Sequence, residues 1–140
     1  MQRCGFGDAG NQVFTALYEA ALQFPYYRLP ELFCGIARTA YGVPIGYPVA
    51  CSPQAWAAAS LPFMLGEMLG LHPSDGGRVL SIRPPMLPSW IGDVRVRGLR
   101  VRDARLDVTF TQPGGPSQPA HVTVEKRGGG AALDVRITDA

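Results

Sequence analysis

Cysteine, histidine and charge are all sparse in this chain, and each scarcity removes a class of function. The three cysteines, Cys4, Cys34 and Cys51, are an odd set with no CxxC pair. Neither a disulfide scaffold nor a zinc site is expected, and reduced cytosolic thiols are the simple reading. The two histidines, His72 and His121, stand far apart, and isolated imidazoles do not make a metal site. No metal and no cofactor are expected. A net charge of +2 gives no mandate for nucleic acid or an anionic membrane, because such partners demand a concentrated basic face. No apolar run approaches the roughly 20 residues a bilayer crossing needs, and the N-terminus lacks a signal-peptide layout. A cytoplasmic location follows as the expectation.

What is present suits a packed core. The chain has 140 residues, 46% of them hydrophobic, which is enough for one domain or for two small pieces sharing a core. Its character changes near Pro73, so residues 1–73 are expected to be helical and residues 74–140 to form a separate β module. From Asn11 to Phe24 the apolar residues Val13, Phe14, Leu17, Ala20, Ala21 and Phe24 recur at three- and four-residue steps, which predicts one helix face. Asp8 is placed to cap that helix and Pro25 to stop it. Residues 1–10 read as a loop with no element ahead of the helix, as in a piece cut from a longer polypeptide. A second helix is predicted from Ser52-Pro53 through Leu71, with Ser52 as N-cap, Pro53 at the first helical position and Pro62 as a source of kinking. It is apolar on nearly every side, so neighbours must bury it. More helices are expected than the chain contains, and an exposed apolar helix would drive self-association.

Beyond Pro73, period-two alternation predicts strands over 78–83, 92–101, 104–111, 120–127 and 131–138. Arg102-Asp103 reads as a tight hairpin, 113–119 as a looser turn and Gly128 to Gly130 as a flexible one. The expectation is an antiparallel meander with one apolar and one wet face. The basic stripe Arg95, Arg97, Arg100 and Arg102 belongs to that wet face.

Between the helices, proline and glycine recur at Pro30, Gly35, Gly42, Pro44, Gly46 and Pro48, with Tyr26, Tyr27, Phe33, Tyr41 and Tyr47 interleaved. So apolar a stretch predicts an ordered loop lying on a core, and long ordered loops are often functional. Two runs within it are informative: Arg28-Leu29-Pro30-Glu31-Leu32-Phe33-Cys34-Gly35, and Tyr47-Pro48-Val49-Ala50-Cys51-Ser52-Pro53-Gln54-Ala55-Trp56-Ala57. Together they resemble the signature of the amylo-α-1,6-glucosidase (glycogen-debranching-like) glycoside hydrolases. The segments Leu69 to Leu71, Pro84 to Trp90 and Val94 to Val101 resemble that family's ending; past about Phe110 the likeness stops. The resemblance implies an α+β chain: the C-terminal helices of an (α/α)6 toroid of the six-hairpin type, followed by a small antiparallel sheet. It implies a glycosidase segment acting on α-glucosidic or related bonds, with Glu31 as the general base and the general acid upstream of this chain.

The chemistry of Glu31 is compatible with that role. It is the single acid between Glu19 and Glu67, and a carboxylate among apolar neighbours is desolvated toward a useful pKa. Glycoside cleavage needs two carboxyl groups, and no good second one exists here, so the chain alone is expected to be inactive. The competing account is an ion pair of Glu31 with Arg28 or Arg38 that pins the loop. Arg28, Tyr47, Gln54 and Trp56 are the candidate saccharide contacts. For Trp56 core packing is the simpler account, for Tyr47 a buried anchor is the alternative, and for Arg28 a solvated surface role. Cys34 reads as small core filler. A non-catalytic carbohydrate-binding module and a purely structural β module remain as alternatives.

Overall fold

The computed structural model describes residues 7–111, 121–129 and 132–138. The expected turn over 113–119 lies outside these residues, as do Cys4, Ala120, Gly130, Ala131 and Asp139. The chain divides into two compact units, one running to Leu65 and the other beginning at Gly66. The division falls within the last helix, ahead of Pro73.

The first unit opens with α1 (Gly7–Ala21). It begins earlier than its apolar period suggests, so Asp8 lies inside the first turn rather than capping it. There a negative side chain still complements the unpaired N–H groups of the helix start. Phe14, Ala20 and Ala21 are buried on one face. After a 3-10 turn at Pro25–Tyr27 and the four-residue α2 (Arg38–Tyr41), the unit ends in α3 (Ala55–Met68). This last helix starts at Ala55, so Ser52 and Pro53 belong to the turn that precedes it and not to its cap. Its core joins α1 through Ala20, Ala21 and Ala57, with Leu29 beneath and Leu17, Phe33 and Leu61 around them.

This arrangement corrects the expectation of toroid helices. The described residues contain three α-helices, one of them a single turn, and six strands in two small sheets. A toroid is built from long helix pairs; here residues 22–54 are punctuated by proline and glycine and run as a hydrogen-bonded strap. The molecule is a small α+β protein.

The second unit also departs from a single meander. Its first sheet orders β1 (Leu71–Ser74), β2 (Val79–Ile82) and β6 (Asp134–Ile137), with β2 and β6 parallel and Leu80 opposite Val135. Its second sheet is the antiparallel meander of β3 (Val94–Val101), β4 (Ala104–Thr111) and β5 (His121–Gly128). Leu69, Leu80, Ile82, Leu106, Val108 and Phe110 are the largest fully buried side chains of this unit. The hairpin between β3 and β4 turns at Arg102, whose φ is +56°. Entry into β1 depends on Gly70, which has φ of +69° and follows the helix end in the left-handed conformation typical of that position. A Cβ there would collide with the backbone carbonyl of Arg83, the residue whose N–H donates to the Gly70 carbonyl at 3.0 Å.

Candidate active-site strap

Residues 28–54 fold back on themselves as an irregular two-stranded strap. The Gln54 N–H donates to the Leu29 carbonyl at 3.3 Å, the Glu31 N–H to Cys51 at 2.9 Å, the Tyr47 N–H to Leu32 at 3.0 Å and the Cys34 N–H to Ile45 at 2.8 Å. Phe33 and Gly46 pair between the last two. The sequence permits this because Leu29 and Phe33 point into the apolar core, and Phe33 meets Phe24 edge-to-face at 5.7 Å. Gly46 lies against the Phe24 ring, where a Cβ would come within 3.3 Å. At the far end α2 is tied back to α1 by Arg38, whose Nη1 lies 3.0 Å from Glu19 Oε2. The stretch is therefore an ordered loop on a core, as its composition predicts.

Glu31 is half-buried on this strap. Its Oε2 accepts a hydrogen bond from the Cys51 N–H at 3.3 Å, while its own N–H donates to the Cys51 carbonyl. The two residues are thus joined twice across the strap, which fixes the carboxylate's root. The ion-pair account does not hold: Arg38 is engaged by Glu19, and Arg28 stacks its guanidinium over Tyr26 at 5.9 Å. Among the described residues Glu31 forms no salt bridge. The first unit carries three acids: Glu31, the Arg38-bound Glu19 and the exposed Asp8.

The other candidates are placed as follows. Trp56 opens α3 and is 64% exposed, so core packing is not its role. Tyr47 is also exposed rather than buried. Gln54 is half-buried; its backbone joins strap to helix, accepting from the Ala58 N–H at 2.8 Å. Arg28 is exposed and turned toward Tyr26. Cys34 is half-buried with Sγ 3.7 Å from the Gly46 carbonyl, consistent with a packing role. No group of three or more His, Cys, Asp or Glu side chains among the described residues could hold a metal ion, and no helix among them is long and apolar enough to cross a membrane.

Two residues were not singled out by sequence reasoning. Tyr26 and Tyr27 both adopt positive φ, +56° and +57°, a conformation that aromatic side chains avoid at a cost of order 1–3 kcal/mol each. They are 87% and 68% exposed. The strained turn holds two aromatic rings in solvent just ahead of Arg28, and the Tyr-Tyr pair directly after Pro25 was the available signal. No protein-family model, curated protein or solved structure matches this chain significantly.

Proposed function

We propose that residues 26–56 are the saccharide-facing strap of a glycoside hydrolase acting on α-glucosidic or related bonds, with Glu31 as the general base that activates water. The observation that carries this reading is the state of Glu31: a half-buried carboxylate, doubly anchored to Cys51, free of any described cation, on a strap that also exposes Tyr26, Tyr27, Tyr47 and Trp56. A base must keep its charge available for a proton, and an ion pair would oppose that. Exposed aromatic faces suit the apolar faces of sugar rings. Arg28, Tyr47, Gln54 and Trp56 are the contacts assigned to substrate. The family resemblance puts the general acid outside this chain, and Glu19 is held by Arg38, so the chain alone is expected to hydrolyse nothing. The free thiols of Cys34 and Cys51 support a reducing, cytoplasmic setting.

The exposed aromatics also favour a second reading, a carbohydrate-binding module that never performed catalysis. Carbodiimide coupling to glycine ethyl ester separates the two. The activated carboxyl becomes an amide with release of the urea, and peptide mass spectrometry locates it. The expected result is modification at Glu31, protection by maltoheptaose, loss of labelling in Glu31→Gln and no release of nitrophenol from a nitrophenyl glucoside. Labelling spread evenly over the exposed acids, with maltoheptaose still bound, would leave the binding-module reading standing alone. Robust glucoside hydrolysis by this chain would overturn the assignment of a missing acid.

A further inference from the structure

The outer face of the β3–β4–β5 sheet concentrates arginine by means of a backbone irregularity. In β3, Arg95 and Arg97 occupy odd positions while Arg100 occupies an even one. An unbroken strand would turn either Arg100 or the other two inward. The register shifts between Val96 and Leu99, where Gly98 takes φ of +66°. Leu99 consequently faces the buried Leu106, and Arg95, Arg97 and Arg100 all remain exposed. A second shift lies in β5 beside Arg127. Asp107, central in β4, holds both: its Oδ1 accepts from the Gly98 N–H at 2.8 Å and its Oδ2 from Arg127 Nε at 3.0 Å.

The result is a surplus of positive charge. Arg100 stands directly opposite Arg105, a pairing of like charges that destabilises a sheet. The two carboxylates of this face, Asp107 and Glu125, are both bound by Arg127. Arg95 reaches only the Thr109 hydroxyl, at 3.3 Å. Among the described residues no hydrogen bond or ion pair engages Arg97, Arg100 or Arg105. A net charge of +2 averages over this face and hides it.

We infer that this sheet face binds the phosphodiester backbone of double-stranded nucleic acid, without regard to sequence. The chemistry of the face selects that partner. Its cations are arginines, whose planar fork matches phosphate oxygens, and the chain's single lysine, Lys126, is turned to the Leu133 carbonyl at 2.9 Å. Residues two apart on a strand lie roughly 6.6–6.8 Å apart, so the face is a regular grid suited to a polymer of regular, dense charge. Thr109, Thr111 and Thr123 supply the hydroxyls that commonly join such contacts. Strands β3 to β5 contain no asparagine or glutamine to read base edges. Their one Phe, Tyr or Trp side chain, Phe110, is buried, so the described residues of these strands offer no large aromatic ring for single strands to stack on. The face likewise has no exposed apolar side chain to enter a lipid surface. This assignment is independent of the strap.

Fluorescence anisotropy of a labelled random-sequence 20-base-pair DNA duplex tests it. Engagement of four arginines gives a slope of log K against log salt of about −3 to −4, a loss on the order of 100-fold between 50 and 200 mM salt. The variant Arg100→Ser/Arg105→Ser should weaken binding and make the slope shallower by about 2. It should melt no lower than the parent, because a like-charge contact is relieved. Thr123→Glu, which places a carboxylate on the same face without removing an arginine, should also weaken binding. Arg78→Ser/Arg136→Ser, one just ahead of β2 and one in β6, should bind like the parent. No duplex binding at 50 mM salt, unchanged binding by both face variants, or tighter binding to phosphatidylglycerol vesicles or poly-glutamate than to the duplex would each overturn the assignment.

Discussion

Two single residues carry constraints that their neighbours cannot absorb. Gly70 combines a left-handed backbone with a carbonyl where a Cβ would sit, and the Arg83 atoms that the Cβ would meet are all backbone. Gly70→Ala must therefore shift the end of α3 or the end of β2. The expected cost is about 1–3 kcal/mol, or a melting-temperature fall of several degrees by circular dichroism, roughly 3–5 °C per kcal/mol at this size. Gly35→Ala, with open space around its Cα and an ordinary φ, should be close to neutral; equal melting of the two variants would remove the constraint assigned to Gly70.

Asp107 is the second. The Gly98 N–H, then the Arg127 hydrogen bond and charge, then the charge of Arg97 hold its carboxyl below the ordinary value of 3.8, with partial desolvation opposing them. A folded-state pKa below the unfolded one means that the unfolded chain takes up the proton first. Its contribution to stability is complete above pH 3.8 and disappears as pH falls through the lower folded value. Asp107→Asn should lower stability at neutral pH, and the gap between the two proteins should close as pH drops below 3.8 in urea titrations. A gap that stays constant from neutral pH down into that acid range would show that the charge of Asp107 is not what clamps the two strand irregularities.

At the level of elements, legibility in the sequence followed periodicity. Alternation located β3, β4 and β5 because each has one face against Leu106, Val108 and Phe110 and one in water. It missed β1, where Leu71-His72-Pro73-Ser74 is short and contains a proline that looks like a boundary. It could not give the β2–β6 pairing, because parallel contact between Leu80 and Val135 depends on closure of the whole second unit. The helices were legible in their apolar faces and not in their ends, since Asp8 and Ser52 each offered a cap the backbone did not use. The strap was recognisable as ordered from its aromatics. Its cross-links were not, because the ladder from Gln54–Leu29 through Tyr47–Leu32 to Cys34–Ile45 is made of backbone bonds with no side-chain signature. The arginine face was written in the sequence as a change of parity on either side of Gly98, a pattern that reads as a uniform wet face until the extra residue is counted.

For the whole molecule the unresolved balance is apolar surface. Helix α3 buries Ala57 and Met68 but leaves Trp56 and Phe63 64% and 69% exposed. With the exposed Ala59 they follow i, i+3, i+7 spacing, so they lie along one stripe. Val13, Leu22 and Val49 add further exposed apolar area in the same unit. Monomeric proteins seldom leave contiguous patches beyond about 300–600 Å² open to water, and burial returns about 25 cal/mol per Å². Self-association through the α3 stripe is therefore the expected state of this chain in solution. Light scattering coupled to gel filtration should give a mass that rises with concentration, and Trp56→Gln/Phe63→Gln should move it toward the monomer without lowering the melting temperature. Because both rings are solvent-exposed, removing them costs little packing, so a change in mass reports the stripe and not the fold. A single 15.0 kDa species at every concentration would mean that water tolerates this surface and that the helix needs no cover.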